Sequence, residues 1–331
     1  MKKFVNDPQD FVPEMLKGLA LANPKTLKYI PAYNLIMRPD IPIQNKVSIM
    51  QGSGSGHEPA FVMAVGKGML DAACAGSIFT APPPDYVYET TKLVASKKGV
   101  LHLFNNYTGD ILAFETGREM AEADGIKVRT VINNDDVAVK DSTWTIGRRG
   151  VAGNFFLMKA VGAAAERGCS LEELEALGNH VVSVTRTMGM ALTSCTPPAK
   201  GTPIFTLAED EIEMGIGIHG EPGRKRIKMA PANAIVDELL EAVAIDLPFK
   251  AGDEVAVMVN GMGGTPISEL YLLYGYVHEQ IEKRGMKIKR NYVGEYSTSL
   301  EMAGVSLTLV KLDQELEDFL AAPAEISIRV F

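Results

Sequence analysis

A chain of 331 residues, 46% hydrophobic and 22% charged, buries a substantial core and lies near the length at which single cores divide, so two domains are expected. A formal net charge of −8 opposes any binding mode that neutralises many phosphates, which argues against DNA or RNA as a direct partner. The three cysteines, Cys74, Cys169 and Cys195, are odd in number and too widely spaced for a disulfide framework or a metal knuckle, which fits reduced cytosol.

The N-terminus "MKKFVNDPQD" has no apolar run of the signal-peptide kind, and no stretch of 18 uncharged apolar residues occurs, so a soluble cytoplasmic protein that does not span a membrane is expected. In chain order, "KVSIMQG", "GVLHLFNN" and "KVRTVINN" read as strands, while "DYVYETTKLVASKK", "DILAFETGREMAEADG" and "GVAGNFFLMKAVGAAAERG" read as helices. That alternation predicts a largely parallel α/β sheet. A further helix, "SLEELEALGNHVVSV", opens on Ser170 with Glu173 three residues on, the spacing of a capping box. The proline-rich "TSCTPPAKGTPIF" (193–205) then breaks the rhythm, and a boundary is placed in its neighbourhood. Beyond it, "EIEMGIGIHG", "DEVAVMVNGMGG", "IKRNYVGEYST", "VSLTLVKL" and "ISIRVF" are strand-like, with "ANAIVDELLEAVA" and "ISELYLLYGYVHEQIEKRG" as helices, giving a second α/β layer. The basic runs "GRKRIK" and "KIKR" read as solvated loop or strand-edge charges, since no aromatic residues interleave them.

Chemistry is sought at strand ends, where α/β folds bind ligands. "QGSGSGHEP" (51–59) brings three alternating glycines to the end of a predicted strand, as a phosphate cradle would. However, Gly56 is followed by His57, Glu58 and Pro59, without the lysine and hydroxyl of a nucleotide loop. His57 and His219, in "GIHGEPG", both sit among glycines, where the alternative reading is two tight turns. His102, His180 and His278 lie in a strand or in helical patterns and read as packing or surface residues. Asp110, in "NNYTGDILAFE", is either a helix N-cap or a carboxylate poised as a general base. Asp135 and Asp136 read as a loop cap rather than a metal site.

Taken together, "GSGSGHEP", "NNYTGDILAFE", "NDDVAVKDS", "GRRGVAG", "VGAAAERG" and "GIGIHGEPG" resemble the substrate-binding K subunit of dihydroxyacetone kinases, and the resemblance runs from "MKKFVND" to at least "YSTSLEMAG". It implies two α/β domains, each a mostly parallel or mixed sheet covered by helices: residues 1–190 as the ketone-binding domain and 191–331 as the domain contributing the His219 loop. It also implies a homodimer that binds a short-chain ketose and no metal. ATP or ADP with Mg2+ would sit on a separate L subunit, recharged by a phosphotransferase-system M subunit. By the same resemblance His219 captures the ketone as a hemiaminal, Asp110 takes the proton of the attacking hydroxyl and His57 assists, while Gly54, Ser55 and Gly56 line the site. Three positions depart from the pattern: Asn105 stands where a ketone-contacting lysine is usual, Ala81 for a pocket serine, and Ser53 for a glycine. Those departures leave an erythrulose kinase subunit as an alternative substrate reading. A ketose-sensing transcriptional coactivator without kinase activity is the alternative from another class.

Overall fold

The computed structural model describes residues 2–140 and 145–328. The last two residues of "NDDVAVKDS" and the last three of "ISIRVF" lie outside the described residues.

The first half opens with α1 (Phe11–Ala22) and an antiparallel ribbon, β1 (Lys28–Ile30) and β2 (Leu35–Met37). It continues through β3 (Ser48–Ser55), β4 (Gly66–Lys67), β5 (Ala72–Ile78), α2 (Pro84–Val94), β6 (Val100–Asn105), α3 (Thr108–Ala123), β7 (Val128–Asn133), α4 (Asn154–Glu166) and α5 (Leu171–Ser183). The sheet order is β1-β2-β5-β3-β6-β7, with β5, β3, β6 and β7 mutually parallel, as the alternating pattern predicts. Every residue of β3 is buried, the condition of a central parallel strand covered on both faces. Successive residues alternate between those faces: Ile49 packs toward α4, and Met50 toward α2 and α3.

The second half comprises β8 (Thr185–Ala191), β9 (Glu211–Met214), β10 (Lys225–Lys228), α6 (Ala232–Asp246), β11 (Glu254–Gly261), α7 (Ile267–Lys283), β12 (Lys287–Glu295) and β13 (Gly304–Lys311). These strands form a mixed sheet, β10-β9-β8-β13-β11-β12, in which only β11 and β12 are parallel. A division after residue 190 therefore falls inside β8. The chain also returns to the first half at its end, where α8 (Gln314–Ala321) packs on α4 and β14 (Glu325–Ile326) pairs with β4.

The layers follow from where apolar residues are spent. α4 is buried from Asn154 through Ala165, and its one charged interior residue, Lys159, donates to the Phe319 carbonyl of α8 at 3.1 Å. A helix apolar all round must be covered all round, and α4 lies between the two sheets, sharing one core with Leu101 and Val131 on one side and Met258 and Val310 on the other. α2 with α3, and α6 with α7, cover the outer faces. α5 starts as its capping box predicts: Ser170 Oγ accepts from Glu173 N at 3.3 Å, and the Glu173 carboxylate accepts from Ser170 N at 2.7 Å. Both basic runs are edge strands, β10 and the start of β12, with largely exposed side chains.

Candidate active site

β3, β5 and β6 end together at the carboxyl edge of the first sheet. Ser53 and Gly54 at the end of β3, Phe79, Thr80 and Ala81 after β5, and Tyr107 to Asp110 after β6 line a cavity of about 380 Å3. His219 completes the lining, on a turn after β9 of the second sheet. Gly54 is there because two backbones meet: a Cβ on it would lie 2.5 Å from Thr80 N. The glycine stretch is thus strand and wall. Phe79, held at φ 58°, is strained for a side chain of its size. In that conformation its ring stacks on His57 at 5.1 Å and meets His219 edge-on at 5.4 Å.

The three expected catalytic groups converge. His57 Nε2 lies 3.0 Å from His219 Nε2, and His57 Nδ1 donates to the Thr298 carbonyl at 2.8 Å. His219 Nδ1 donates to Glu221 Oε1 at 2.9 Å, while Glu221 Oε2 accepts from the His219 backbone N–H at 2.9 Å. Because both Nδ1 atoms face pure acceptors and so carry protons, the short Nε2 to Nε2 contact holds one proton between two lone pairs. Burial, then the neighbouring His219, push His57 down to about 3, so His57 is the acceptor of that proton. Burial alone would raise Glu221, but the charge and hydrogen bond of His219, with the Arg149 guanidinium, hold it down at about 2. Tyr107 stands edge-on to His219 at 4.6 Å, and its buried hydroxyl has no hydrogen-bond partner among the described residues.

Asp110 lies in the first turn of α3 but caps nothing: α3 begins after Tyr107 without a side-chain cap. Its Oδ2 instead accepts from Ser53 Oγ at 2.9 Å. Burial raises its carboxyl to about 7, against the pull of the Ser53 hydroxyl and of His219. A buried carboxyl that titrates near neutrality on a cavity wall is suited to take a proton.

Of the expected ketone-binding residues, Gly54 and Ala81 line the cavity and three do not. Ser55 Oγ donates to the Gly76 carbonyl at 2.8 Å, tying β3 to β5. The Gly56 N–H donates to the Glu58 carboxylate at 3.0 Å. Asn105 is buried, its Oδ1 accepting from Asn133 Nδ2 and Asn154 Nδ2, both at 2.9 Å. Its oxygen is therefore committed to a network behind the wall, and Asn105 is not among the residues that line the cavity. Asp135 serves the same network, accepting from Val151 N and Gly153 N at 2.8 and 2.7 Å, and Asp136 pairs with Arg149. Among the described residues no cluster of three or more His, Cys, Asp or Glu forms a metal site. His102 bonds Thr91 at 2.9 Å, His180 meets Asp313 at 2.7 Å, and His278 lies on α7 beside Glu282, all away from the cavity. The sequence reading missed Phe79, Thr80, Tyr107 and Thr108 as lining residues and gave no role to Glu221, although an acid two residues beyond a histidine in a glycine turn was a visible signal.

A Dak1 domain profile matches residues 17–328, nearly the whole chain. The chain belongs to the Dak1 domain family. It is 46% identical to the dihydroxyacetone-binding subunit DhaK of PTS-dependent dihydroxyacetone kinase 1 from Listeria innocua, over 98% of this chain and 99% of that one. Two solved structures resemble this Dak1 chain with TM-scores of 0.89. One is a dihydroxyacetone kinase operon co-activator, Dha-DhaQ, 36% identical over 94% of this chain and 96% of that one. The other is the C. freundii dihydroxyacetone kinase in complex with AMP-PNP and Mg2+, 32% identical, of which this chain spans 99% of itself and 60% of the larger protein. No helix among the described residues is long and apolar enough to cross a membrane.

Proposed function

We propose that this Dak1 chain is the ketone-binding subunit of a cytoplasmic dihydroxyacetone kinase, holding the ketose for phosphoryl transfer from a partner subunit. The observation that carries this reading is the convergence of His219, from the second sheet, with Asp110 and the end of β3, from the first, on one small cavity.

Capture begins when the shared proton settles on His57 Nε2 and frees the His219 Nε2 lone pair. That lone pair attacks the carbonyl carbon, the C=O electrons move to oxygen, and His57 returns the proton there. The product is a hemiaminal whose ring keeps its Nδ1–H on the Glu221 carboxylate. Charge balances throughout, one positive charge beginning on the His219 ring and ending on its alkylated form. Asp110 then takes the proton of the adjacent terminal hydroxyl as its oxygen attacks phosphorus. ATP or ADP with Mg2+, on the partner L subunit, would supply the phosphoryl group and neutralise its charge, with an M subunit behind it. A covalent link suits so small a ligand, since each of about six heavy atoms contributes at most about 1.5 kcal/mol non-covalently. It also rejects glycerol, which lacks the electrophilic carbon.

A coactivator needs capture but not a base, and the burial that tunes Asp110 toward neutrality favours the kinase over that reading. The decisive experiment is native mass spectrometry with dihydroxyacetone, followed by turnover with the L subunit and ATP. Wild type is expected to carry one adduct per chain and to turn over, and His219→Ala neither. An adduct that survives His219→Ala, or capture without turnover in wild type, would overturn the assignment.

For self-association we assign the outer face of α7. Leu272 lines an apolar groove of about 220 Å3 together with Met190, Ile235 and Leu273, and Ile267, Tyr271 and Tyr276 are further exposed apolar side chains of α7. So many exposed apolar side chains on one helix suit a contact between copies of the chain.

A further inference from the structure

The motif "GRRGVAG" has no place in the capture chemistry, yet it supplies the largest fully buried side chain among the described residues, Arg149. Its guanidinium is engaged on both halves. Nε donates to Asp136 Oδ2 at 2.8 Å, just beyond β7 of the first half. Nη2 donates to the Gly215 carbonyl at 2.7 Å, and Nη1 reaches the Pro222 carbonyl at 3.5 Å. Gly215 and Pro222 bracket the turn that carries His219, so one planar fork holds both ends of that turn. Gly217 lies between: a Cβ there would sit 2.0 Å from Glu221 Oε2 and 2.7 Å from Arg149 Nη1, so these two groups flank a bare α-carbon.

We propose that Arg149 is a positioning residue, which seats Glu221 against His219 and thereby holds the Nδ1 proton in place, so that Nε2 is the nitrogen freed for the ketone when the shared proton moves to His57. This rests on the capture reading above. A fork between Asp136 and the His219 turn further means that the nucleophile is oriented only while the two halves are docked. The charge of Arg149 acts in addition to its hydrogen bonds. Arg149 is among the groups that hold Glu221 ionised, and it opposes the rise that burial imposes on Asp136. The groups facing His219 are His57, Tyr107, Glu221 and, across the cavity, Asp110, with Arg149 and Asp136 behind Glu221.

The sign of the effect follows from charge. Removing the guanidinium raises the proton affinity of the cluster, so Arg149→Met should lose ketone capture at higher pH on acidification, by about one unit, the size expected for a charge at this range. Asp136→Asn removes a negative charge and should move the same limb downward. Arg149→Lys keeps the charge without the fork, so the limb should stay while adduct occupancy falls. The experiment is the full-length protein with dihydroxyacetone, with adduct read by native mass spectrometry across pH and the His219 Nδ1–H read by 15N NMR without ligand. Loss of the Nδ1–H form in Arg149→Met, with opposite limb shifts in the Met and Asn variants, is the expected result. A wild-type Nδ1–H signal and limb in folded Arg149→Met and Asp136→Asn would overturn the proposal. Should Arg149→Met fail to fold, Asp136→Asn decides it. Wild type without adduct refutes the capture reading, and the ligand-free Nδ1–H signal then still decides the role of Arg149.

Discussion

Ser53→Gly removes the only side-chain donor that reaches Asp110 among the described residues. A hydrogen bond to a charged group is worth about 1.5–3 kcal/mol, and about 1.36 kcal/mol corresponds to one pH unit, so its loss raises the Asp110 carboxyl by roughly one to two units. Asp110 is nearly inaccessible, which keeps bulk water from replacing the donor in full, and we take about one unit as the expectation, from about 7 to roughly 8. A general base works as its carboxylate, so the rising limb of kcat/KM should move up by that unit, with about a fivefold loss at pH 7 and almost none at pH 9. The assay is dihydroxyacetone phosphorylation with the L subunit and ATP between pH 5.5 and 9.5. A limb that stays in place while Asp110→Asn abolishes turnover would refute the link between the Ser53 hydroxyl and the base.

Asp110→Asn itself should retain the adduct and lose about 10²- to 10⁴-fold in turnover. It should also stabilise the fold: a carboxyl raised from 3.8 to about 7 destabilises the folded state once ionised, by up to about 4 kcal/mol, fully above pH 7 and not at all below 3.8. Denaturant titrations at pH 5 and 8 check this, and an equal effect at both would contradict it. Gly217→Ala should push Glu221 off His219 and abolish adduct formation, since the new Cβ falls 2.0 Å from Oε2; unchanged adduct occupancy would show that Glu221 is dispensable. Tyr271→Glu on the exposed face of α7 should yield monomers by sedimentation velocity, and an unaltered dimer would place the interface elsewhere.

What the sequence disclosed was mostly periodic. β3, β6, β7, β11 and β13 stood out as short apolar runs, and α5 announced its own start through Ser170 and Glu173. β8 escaped notice because its mixed run "TRTMGMA" follows directly on α5, with only Val184 between them. "EIEMGIGIHG" reads as one strand but stops at Met214, since Gly215 and Gly220 adopt φ of 83° and 77° and turn the chain into the His219 loop. The candidate trio His57, Asp110 and His219 could be named from motifs, but not the distances among its members, because these depend on two sheets docking across α4. Arg149 shows the same limit: nothing in "GRRGVAG" reveals that the second arginine passes beneath a turn some seventy residues away.

Substrate length is where the docked geometry changes the argument most. A tetrulose preference built on Asn105 requires its amide in the cavity, whereas its oxygen serves Asn133 and Asn154. Lysine there has no acceptor to offer those two amides, and its ammonium would enter a buried network, so Asn105→Lys should destabilise the protein by roughly 1–3 kcal/mol without altering substrate choice. Ala81 does face the cavity, its Cβ lying 3.3 Å from where a Cβ on Gly109 would be, at the start of the helix that bears Asp110. With His219 on the carbonyl carbon and Asp110 on the adjacent hydroxyl, as proposed, a fourth carbon would extend along the remaining wall, where a serine hydroxyl at position 81 would narrow the space and bind a triose hydroxyl. Ala81→Ser should therefore move the kcat/KM ratio toward dihydroxyacetone over erythrulose by up to about tenfold, the scale of one neutral hydrogen bond. Both ratios and both melting temperatures are to be measured with the same L subunit. A shifted ratio in Asn105→Lys with unchanged stability, or an unmoved ratio in Ala81→Ser, would return the discrimination to the buried network.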